Sequence, residues 1–417
     1  MKLNHLSRRS VYGALLIGIL ALTTRLTFIS FYSPAKLAGG DPRAFESFAQ
    51  GILEGRGFRS AVEPWLADRP PLYIFFLAGN FLIFGLNEGE IFIVQSIIGG
   101  IAASLFFLCC VRLLGEPRAL VGGVLFALLP HFLLFTKQIL TESLYISLLV
   151  FLLSSIILPS QQRHQLRRWL LVGLIFGLTA LLRREALFPA GLMVVSLSYF
   201  LVEGNIRRWW KAVLLVSIAS AVTVAPWLIR NWIALGSPML SSSAGYNFLV
   251  GNNPFAAGGY TPPPPEWAAQ LVGVNELEWN RLSWQLSLGW IGQHPAQFLS
   301  LLPRKLYRFY GPANNRVLDG LDLALVPLYV MGIIRILQRR CNWQLIVATV
   351  VPFVAGATLI ALVFVGGWRY RIGLYPGLLL LAAYSLPEVW MQQTSMYLCR
   401  LRPSETEQQD RRLRQIK

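Results

Sequence analysis

The sequence predicts an all-α protein that crosses a membrane many times. Of its 417 residues, 55% are hydrophobic and only 14% are charged, and the mean hydropathy is +0.53. Several runs of about 20 residues carry almost no charge, and at ~1.5 Å per residue each run is long enough to cross a hydrocarbon core of ~30 Å. This composition excludes a water-soluble protein.

Ten apolar runs are long enough to be predicted as membrane spans, and the first, which follows Lys2, Arg8 and Arg9, is interpreted as a retained signal anchor. A shorter run at 72–86 contains Asn80 and would reach only ~23 Å as a helix, so it is predicted to be interfacial or re-entrant. The predicted spans are 11–31, 91–113, 119–136, 143–158, 169–182, 186–202, 211–229, 317–337, 343–365 and 372–390.

The positions of the basic residues predict the orientation of these spans. With run 72–86 left out of the count, both termini and all the short basic loops face the cytoplasm, as the positive-inside rule requires. Counting that run as a span would reverse every loop. Orientation therefore accounts for the net charge of +17, and no nucleic-acid partner is expected. The basic loops are 112–118, 163–168, 207–211 and 335–340.

The predicted organisation is a cytoplasmic N-terminus (1–10), a membrane domain (11–391) and a basic cytoplasmic tail (392–417). Two large exterior segments, 32–90 and 230–316, interrupt the membrane domain, and the first is predicted to contain interfacial helices.

Two further features of the sequence concern the second exterior segment and the cysteines. The amphipathic stretch 290–310 is predicted to lie along the membrane surface, with Arg304, Lys305 and Arg308 towards lipid head groups. The four cysteines do not have metal-site spacing, and disulfides are not expected; they are Cys109, Cys110, Cys341 and Cys399.

Charged residues at membrane-embedded positions are costly and therefore indicate function. In the predicted orientation they gather at the exterior boundary. A set of carboxylates and arginines suits a transferase that acts on a lipid phosphate, because a carboxylate can serve as general base while guanidiniums hold the leaving phosphate. The set comprises Asp41, Asp68, Arg69, Glu142, Arg183, Arg184, Glu185, Arg230, Asn231, Arg369, Tyr370 and Arg371.

Each of these residues also has a purely structural interpretation. Asp41 could cap a helix or form a turn, and Asp68 with Arg69 could be a surface ion pair worth ~0 to 1 kcal/mol. Glu142 could mark the interface, and the arginines at the ends of spans could extend to head groups. The predicted position of all these residues on the same side of the membrane is a stronger argument for a common site than any one residue alone.

The order of these motifs resembles the GT-C superfamily of integral membrane glycosyltransferases over roughly residues 10 to 390. Within it, the sequence is most similar to the branch that includes the protein O-mannosyltransferases (family 39) and the aminoarabinose transferase of lipid A (family 83). The matching motifs are Gly40-Asp41, 49–57, Asp68-Arg69-Pro70-Pro71, 140–145, 177–185, 226–232, 241–247, 251–254 and Arg369-Tyr370-Arg371.

The resemblance implies an inverting enzyme that moves a hexosyl or pentosyl group from a polyprenyl-phosphate carrier to an acceptor on the periplasmic or exterior side of the plasma (inner) membrane. Asp41 matches the acidic residue that deprotonates or orients the acceptor, with Glu142 and Asp68 at further acidic positions. The resemblance assigns the donor phosphate to Arg69, Arg369 and Arg371, and possible substrate contacts to Arg184, Glu185, Arg230, Asn231 and Tyr370.

The expected partners are the lipid-linked donor, membrane lipids, and a glycan, lipid or protein acceptor. Pro42 stands where the protein mannosyltransferases have a second acidic residue, and the absence of Trp-Trp-Asp argues against an oligosaccharyltransferase. A divalent metal at Asp41, Asp68 or Glu142 is compatible with the resemblance.

Two other functions stay open on the sequence. A transporter or flippase for a lipid-linked sugar would place charges near the bilayer midplane and commonly shows internal repeats, and no repeat is evident here. The second possible function is that of a protein that keeps the fold and binds its ligand without turnover.

Overall fold

The computed structural model describes residues 6–32, 40–62, 65–159, 165–313, 315–340 and 342–387, and all regular structure in these ranges is helical. Two 3₁₀ turns, Arg184–Ala186 and Trp368–Gly373, precede α9 and α17. The helices are α1 (Arg8–Phe31), α2 (Asp41–Leu53), α3 (Leu72–Phe84), α4 (Glu88–Leu114), α5 (Glu116–Leu128), α6 (Pro130–Thr136), α7 (Glu142–Ile157), α8 (Gln165–Leu182), α9 (Leu187–Leu201), α10 (Ile206–Leu235), α11 (Ala244–Leu249), α12 (Pro265–Gln270), α13 (Glu276–Gln293), α14 (Pro295–Tyr310), α15 (Arg316–Leu337), α16 (Trp343–Val363) and α17 (Tyr375–Tyr384).

The predicted all-α membrane architecture is confirmed. In the described ranges, seven helices are long and apolar enough to cross a membrane: α1, α4, α8, α9, α10, α15 and α16. Three shorter apolar helices, α3, α7 and α17, accompany them. With 13 residues, α3 reaches only about 20 Å, in keeping with the expectation that run 72–86 is too short to cross.

The predicted span 119–136 corresponds to two helices, α5 and α6, which together are long and apolar enough to cross a membrane but are bent by 41°. Pro130 lacks an N–H group and its ring crowds the preceding turn, so the helix breaks there. The side chain of Thr24 donates to the carbonyl oxygen of Ala127 at 3.2 Å, next to the break. A neighbouring helix thus satisfies a backbone group that the bend exposes.

Helix α4 and helix α7 lie in the core, whereas α1, α10 and α15 expose much of their apolar surface, as helices facing lipid do. Helix α8 packs closely along α10. A β-carbon added at Gly177 would lie 2.7 Å from Cβ of Thr223 on α10. Small residues therefore allow these two backbones to approach.

Several predicted features fall outside the described ranges. They are residues 1–5 of the N-terminus, the tail 392–417, Cys341 and Cys399. Cys109 and Cys110 are buried free thiols in α4.

The predicted orientation of Lys305 towards lipid head groups is wrong. Its side chain is completely buried, and Nζ lies 2.8 Å from both Oδ1 of Asn252 and the carbonyl oxygen of Leu362. Lys305 shares its helix face with Leu301 and Phe309, both buried, whereas Arg304 and Arg308 are exposed as expected. The amino group of Lys305 thus attaches α14 to the C-terminal end of α16, where carbonyl oxygens lack helical partners.

We predict that Lys305 makes the stability of the protein pH-dependent. Burial lowers its pKa to about 7, below the usual 10.5. Between these two values the unfolded chain holds a proton that the folded chain has released, so stability rises with pH in this window. In detergent-solubilised protein, the thermal midpoint of the wild type should increase from pH 7 to pH 9 relative to that of Lys305→Met. A difference in thermal midpoint between the two proteins that stays constant from pH 7 to pH 9 would contradict the lowered pKa of Lys305.

Candidate active site

Most of the charged residues identified in the sequence come together at one end of the helix bundle, and most of these lie at helix ends. Asp41 and Glu142 are the first residues of α2 and α7. Helix N-termini carry partial positive charge, which favours a carboxylate at both positions. Arg183 to Glu185 form the turn between α8 and α9, and Asp68 with Arg69 precedes α3.

Asp41 is held between two arginines from distant parts of the chain. Its Oδ1 accepts a hydrogen bond from Nη1 of Arg69 at 3.0 Å, and its Oδ2 accepts one from Nη1 of Arg369, also at 3.0 Å. One third of the Asp41 side chain is exposed. Asp41 is therefore the carboxylate of this group that a molecule entering from outside can reach most easily.

Glu142 also lies between two arginines, but it is completely buried. Its Oε1 accepts from Nε of Arg369 and lies 3.1 Å from Nη1 of Arg183. A buried carboxylate is costly unless it is paired and hydrogen-bonded, so Glu142 needs these guanidiniums. Arg369 bridges Glu142 and Asp41, and thus links a buried acid to an accessible one.

The network continues through the turn between α8 and α9. Glu185 lies 3.9 Å from Nε of Arg183 and 4.0 Å from Nε of Arg184. Nη1 of Arg184 donates to the hydroxyls of Ser241 and Ser243 at 2.6 and 3.0 Å. Both hydroxyls donate in turn to the carbonyl oxygen of Asp68, so segment 230–316 is fixed to segment 32–90.

Acids and arginines balance in this group, which consists of Asp41, Asp68, Glu142, Glu185, Arg69, Arg183, Arg184 and Arg369. Burial alone would lower the pKa of Arg369, but the carboxylates of Glu142 and Asp41 outweigh it and raise that pKa above its usual value. Arg369 therefore stays charged at every working pH.

A cavity of about 800 Å³ opens onto this network. Its volume is within the range of small-molecule sites. Its walls combine the charged residues with several aromatic rings. The lining residues are Asp41, Phe45, Trp65, Asp68, Arg69, Pro70, Thr141, Leu182, Arg183, Arg184, Glu185, Ser243, Tyr246, Asn247, Tyr260, Trp279, Arg369 and Tyr370.

Three of the predicted site residues have their polar groups elsewhere. Arg371 lies 3.1 Å from Oδ2 of Asp322 and donates to the carbonyl oxygen of Gly311 at 2.7 Å. Arg230 donates to the carbonyl oxygen of Leu66 at 2.7 Å, and Asn231 is completely buried. None of these three is among the residues that line the cavity. Their described contacts support neighbouring segments of the fold.

Sequence reasoning missed the roles of several residues in the cavity. Arg183 belongs to the charged motif 183–185, but its contact with Glu142 depends on two helix ends that are distant in the sequence and adjacent only in the fold. The aromatic residues Trp65, Tyr260 and Trp279 lie in the two long segments between membrane helices, which have no recognisable pattern, so no signal in the sequence identified them.

The arrangement of carboxylates does not fit a divalent metal. Asp41 and Glu142 direct their oxygens at guanidiniums, which already supply the positive charge that a metal would provide. In the part of the chain that the structure describes, no three histidine, cysteine or acidic side chains are grouped to hold an ion.

We predict strong energetic coupling between Glu142 and Arg183. Glu142→Gln leaves two partly buried guanidiniums short of a negative charge, and Arg183→Gln leaves the buried carboxylate with one arginine fewer. In a double-mutant cycle, the loss in the double variant should be smaller than the sum of the single losses by about 1 kcal/mol or more. Thermal or chemical unfolding in detergent measures each term.

The exposed pair of Glu278 and Arg281, 2.6 Å apart, provides the matched control. Its cycle should show no measurable coupling, because solvent screens both charges. Strict additivity at Glu142 and Arg183 would contradict the described contact.

Comparison with known proteins agrees with this architecture. The family model described as dolichyl-phosphate-mannose-protein mannosyltransferase matches residues 68–230. No curated protein matches the chain.

Among solved structures, the oligosaccharyltransferase of Archaeoglobus fulgidus tethered with an acceptor peptide has a TM-score of 0.58 at 14% identity, covering 93% of this chain and 50% of that one. AglB from Archaeoglobus fulgidus, in complex with an inhibitory peptide and a dolichol-phosphate, has a TM-score of 0.56 at 13% identity. The match covers 94% of this chain and 51% of the AglB chain. ArnT from Cupriavidus metallidurans, bound to undecaprenyl phosphate, has a TM-score of 0.39 at 12% identity. The match covers 90% of this chain and 76% of the ArnT chain, and nothing is inferred from so low a TM-score.

The chain spans about half the length of the archaeal proteins that it matches. At such low identity the likeness shows a common fold and nothing of activity. The fold and the family match at 68–230 confirm the resemblance to the GT-C superfamily: the chain is an integral, multi-pass membrane protein with the GT-C fold.

Proposed function

We propose that the protein is an inverting glycosyltransferase that moves a sugar from a polyprenyl-phosphate carrier to an acceptor outside the cytoplasm. The observation that carries this proposal is the contact of one accessible carboxylate, Asp41, with two guanidiniums in a cavity at the ends of the membrane helices. The site holds both a candidate base and candidate phosphate ligands, and the bilayer next to it can hold an isoprenoid tail.

In the proposed reaction, Asp41 accepts the proton of the acceptor hydroxyl or amine. The acceptor atom then attacks the anomeric carbon, and the bond between that carbon and the phosphate oxygen breaks. The phosphate leaves with the bonding electrons, and guanidiniums stabilise its added charge. Attack and departure occur on opposite faces of the sugar, so the configuration inverts.

The balance of charges gives donor binding a direct effect on Asp41. Because Arg69 and Arg369 already bind Asp41, a phosphate that takes one of these donors releases a carboxylate oxygen. Glu142 holds Arg369 in place during this exchange. The donor phosphate thus frees the base that the acceptor needs.

Among the other predicted site residues, Arg184, Glu185 and Tyr370 line the cavity and are proposed to contact substrate. Arg371 is proposed to act as a positioning residue, since its described partners are Asp322 and Gly311. It supports the turn that carries Arg369.

Charge distribution supports an exterior location of the cavity. The hydroxyls of Ser7 and Ser10 contact Glu116, so the start of α1 lies with the basic loop 112–118. Lys137 donates to the carbonyl oxygen of Tyr32 at the other end of α1, where the chain continues towards Glu142. With the positive-inside rule, these contacts support a cavity on the side opposite the cytoplasm, and a plasma (inner) membrane location is proposed on this basis.

The alternative function, transport of a lipid-linked sugar, is not favoured. The charged residues lie at helix ends and bind each other in a closed network instead of following a path across the bundle. Transport sites characteristically lie near the bilayer midplane.

We predict that Asp41→Asn lowers sugar transfer by a factor of about 10² to 10⁴, because an amide cannot accept the acceptor proton. Expression and membrane insertion should change little, since Asp41 is one third exposed and the amide oxygen can still accept a hydrogen bond from one of the two arginines. Glu54→Gln, at the exposed end of the same helix, is the control and should retain full activity. Near-normal turnover in Asp41→Asn would overturn the proposed mechanism.

We also predict that Arg69→Gln weakens binding of the carrier phosphate about tenfold, because a charge-assisted hydrogen bond is worth roughly 1.5–3 kcal/mol. Native mass spectrometry with undecaprenyl phosphate measures this loss without knowledge of the sugar. Arg56→Gln changes an exposed arginine in the same exterior segment and should leave binding unchanged. Equal effects of the two substitutions would show that Arg69 has no specific contact with phosphate.

A further inference from the structure

Four aromatic side chains, Trp65, Tyr246, Tyr260 and Trp279, form one wall of the cavity. The ring of Trp279 stacks with that of Tyr246 at 4.7 Å and 20°, and with that of Trp65 at 5.2 Å and 27°. The hydroxyl of Tyr246 lies 3.4 Å from that of Tyr260. We call these four side chains the aromatic wall.

Residues from the first exterior segment anchor the aromatic wall. Glu276, at the start of α13, accepts hydrogen bonds from the backbone N–H groups of Leu66 and Ala67 at 2.7 and 2.8 Å. It also accepts from the hydroxyl of Ser242 at 2.5 Å. The rings are therefore held in a fixed position relative to Asp68 and Arg69, as a preformed binding surface requires.

The aromatic wall and the proposed phosphate ligands lie at different places in the protein. All four rings belong to the two long segments 32–90 and 230–316. Arg69 and Arg369 lie just before α3 and in the 3₁₀ turn before α17, where a carrier with a lipid tail can bring its phosphate from the bilayer. The aromatic wall, whose Tyr260 is 63% exposed, is left for the molecule that arrives from the aqueous side.

The chemistry of the aromatic wall suits a sugar ring. A pyranose has a face of C–H groups and a rim of hydroxyls; its C–H face packs against the negative face of an aromatic ring. The rim needs hydrogen-bond partners, and Ser243, Asn247 and Arg184 line the same cavity. A flat apolar surface beside polar groups is what such a ring requires.

We infer that the acceptor presents a pyranose ring that binds against the aromatic wall, so the acceptor is a saccharide or a glycolipid. Its role as acceptor rests on the proposed function, whereas the sugar-binding surface itself does not. Tyr260, with 63% of its surface exposed, lies at the outer part of the wall, where an entering molecule meets it first.

The experiment uses the full chain in phospholipid nanodiscs without sugar-based detergent. The probes are methyl pyranosides of glucose, mannose, galactose and N-acetylglucosamine, measured by saturation-transfer NMR. Sorbitol is the control probe, because it has the hydroxyls but no ring face. At least one pyranoside should bind better than sorbitol, and the strongest signals should come from one face of its ring.

Trp279→Ala should weaken that binding about fivefold or more, Tyr260→Ala should weaken it less, and Trp279→Phe should retain most of it. Trp232→Ala is the matched control, since Trp232 is 62% exposed and lies outside the cavity lining. Tyr260→Ala also keeps the test informative if Trp279→Ala fails to fold. Binding no better than that of sorbitol, or unchanged in both Trp279→Ala and Tyr260→Ala, would overturn the inference.

A second arm distinguishes acceptor from donor. Trp279→Ala should raise the KM of the acceptor more than that of the donor. A larger rise in the KM of the donor would assign the aromatic wall to the donor sugar and overturn the inference. If Asp41→Asn loses transfer but no pyranoside binds, the inference alone fails; if Asp41→Asn keeps full transfer while pyranosides bind, the proposed mechanism alone fails.

Discussion

A buried carboxylate organises the charged end of this protein. Glu142 has no exposed surface, and its charge is tolerated because Arg183 and Arg369 both reach it. One arginine comes from the turn between α8 and α9 and the other from the 3₁₀ turn before α17, so the pairing fixes three distant elements at the N-terminus of α7. Removing either partner would leave charge uncompensated in a medium of low dielectric constant.

The same arrangement makes the cavity responsive to an anion. Acids and arginines balance, and Arg369 is shared by the buried Glu142 and the accessible Asp41. In the proposed reaction, a phosphate takes a guanidinium donor of Arg69 or Arg369 from a carboxylate. The exchange favours Asp41, because Asp41 is partly exposed whereas Glu142 has no solvent to replace a lost arginine. This difference in burial is the physical basis for giving the two acids different roles.

Much of the fold was predictable, because the length of each apolar run and the position of each basic loop depend on local sequence. The spans, the short run that became α3 and the shared end of the charged residues all came from that information. The bend at Pro130 also had a local signal in the proline. The burial of Lys305 had no such local signal, because only the packing of α14 against α16 shows that Lys305 belongs to the buried face of its helix.

The site was predictable as a set of residues but not as a geometry. Arg369 and Arg371 stand two residues apart, yet one contacts Asp41 and the other Asp322, because a 3₁₀ turn directs their side chains differently. The aromatic wall depends on contacts between exterior segments about 200 residues apart, such as that of Trp65 with Trp279, for which no periodicity exists.

The most direct test is an experimental structure of the full chain with bound undecaprenyl phosphate. We predict that the phosphate lies within hydrogen-bonding distance of Arg69 or Arg369, that this arginine has left Asp41, and that Glu142 keeps its pairing with Arg183. A phosphate bound beside Arg371 and Asp322, with the contacts of Asp41 unchanged, would contradict it.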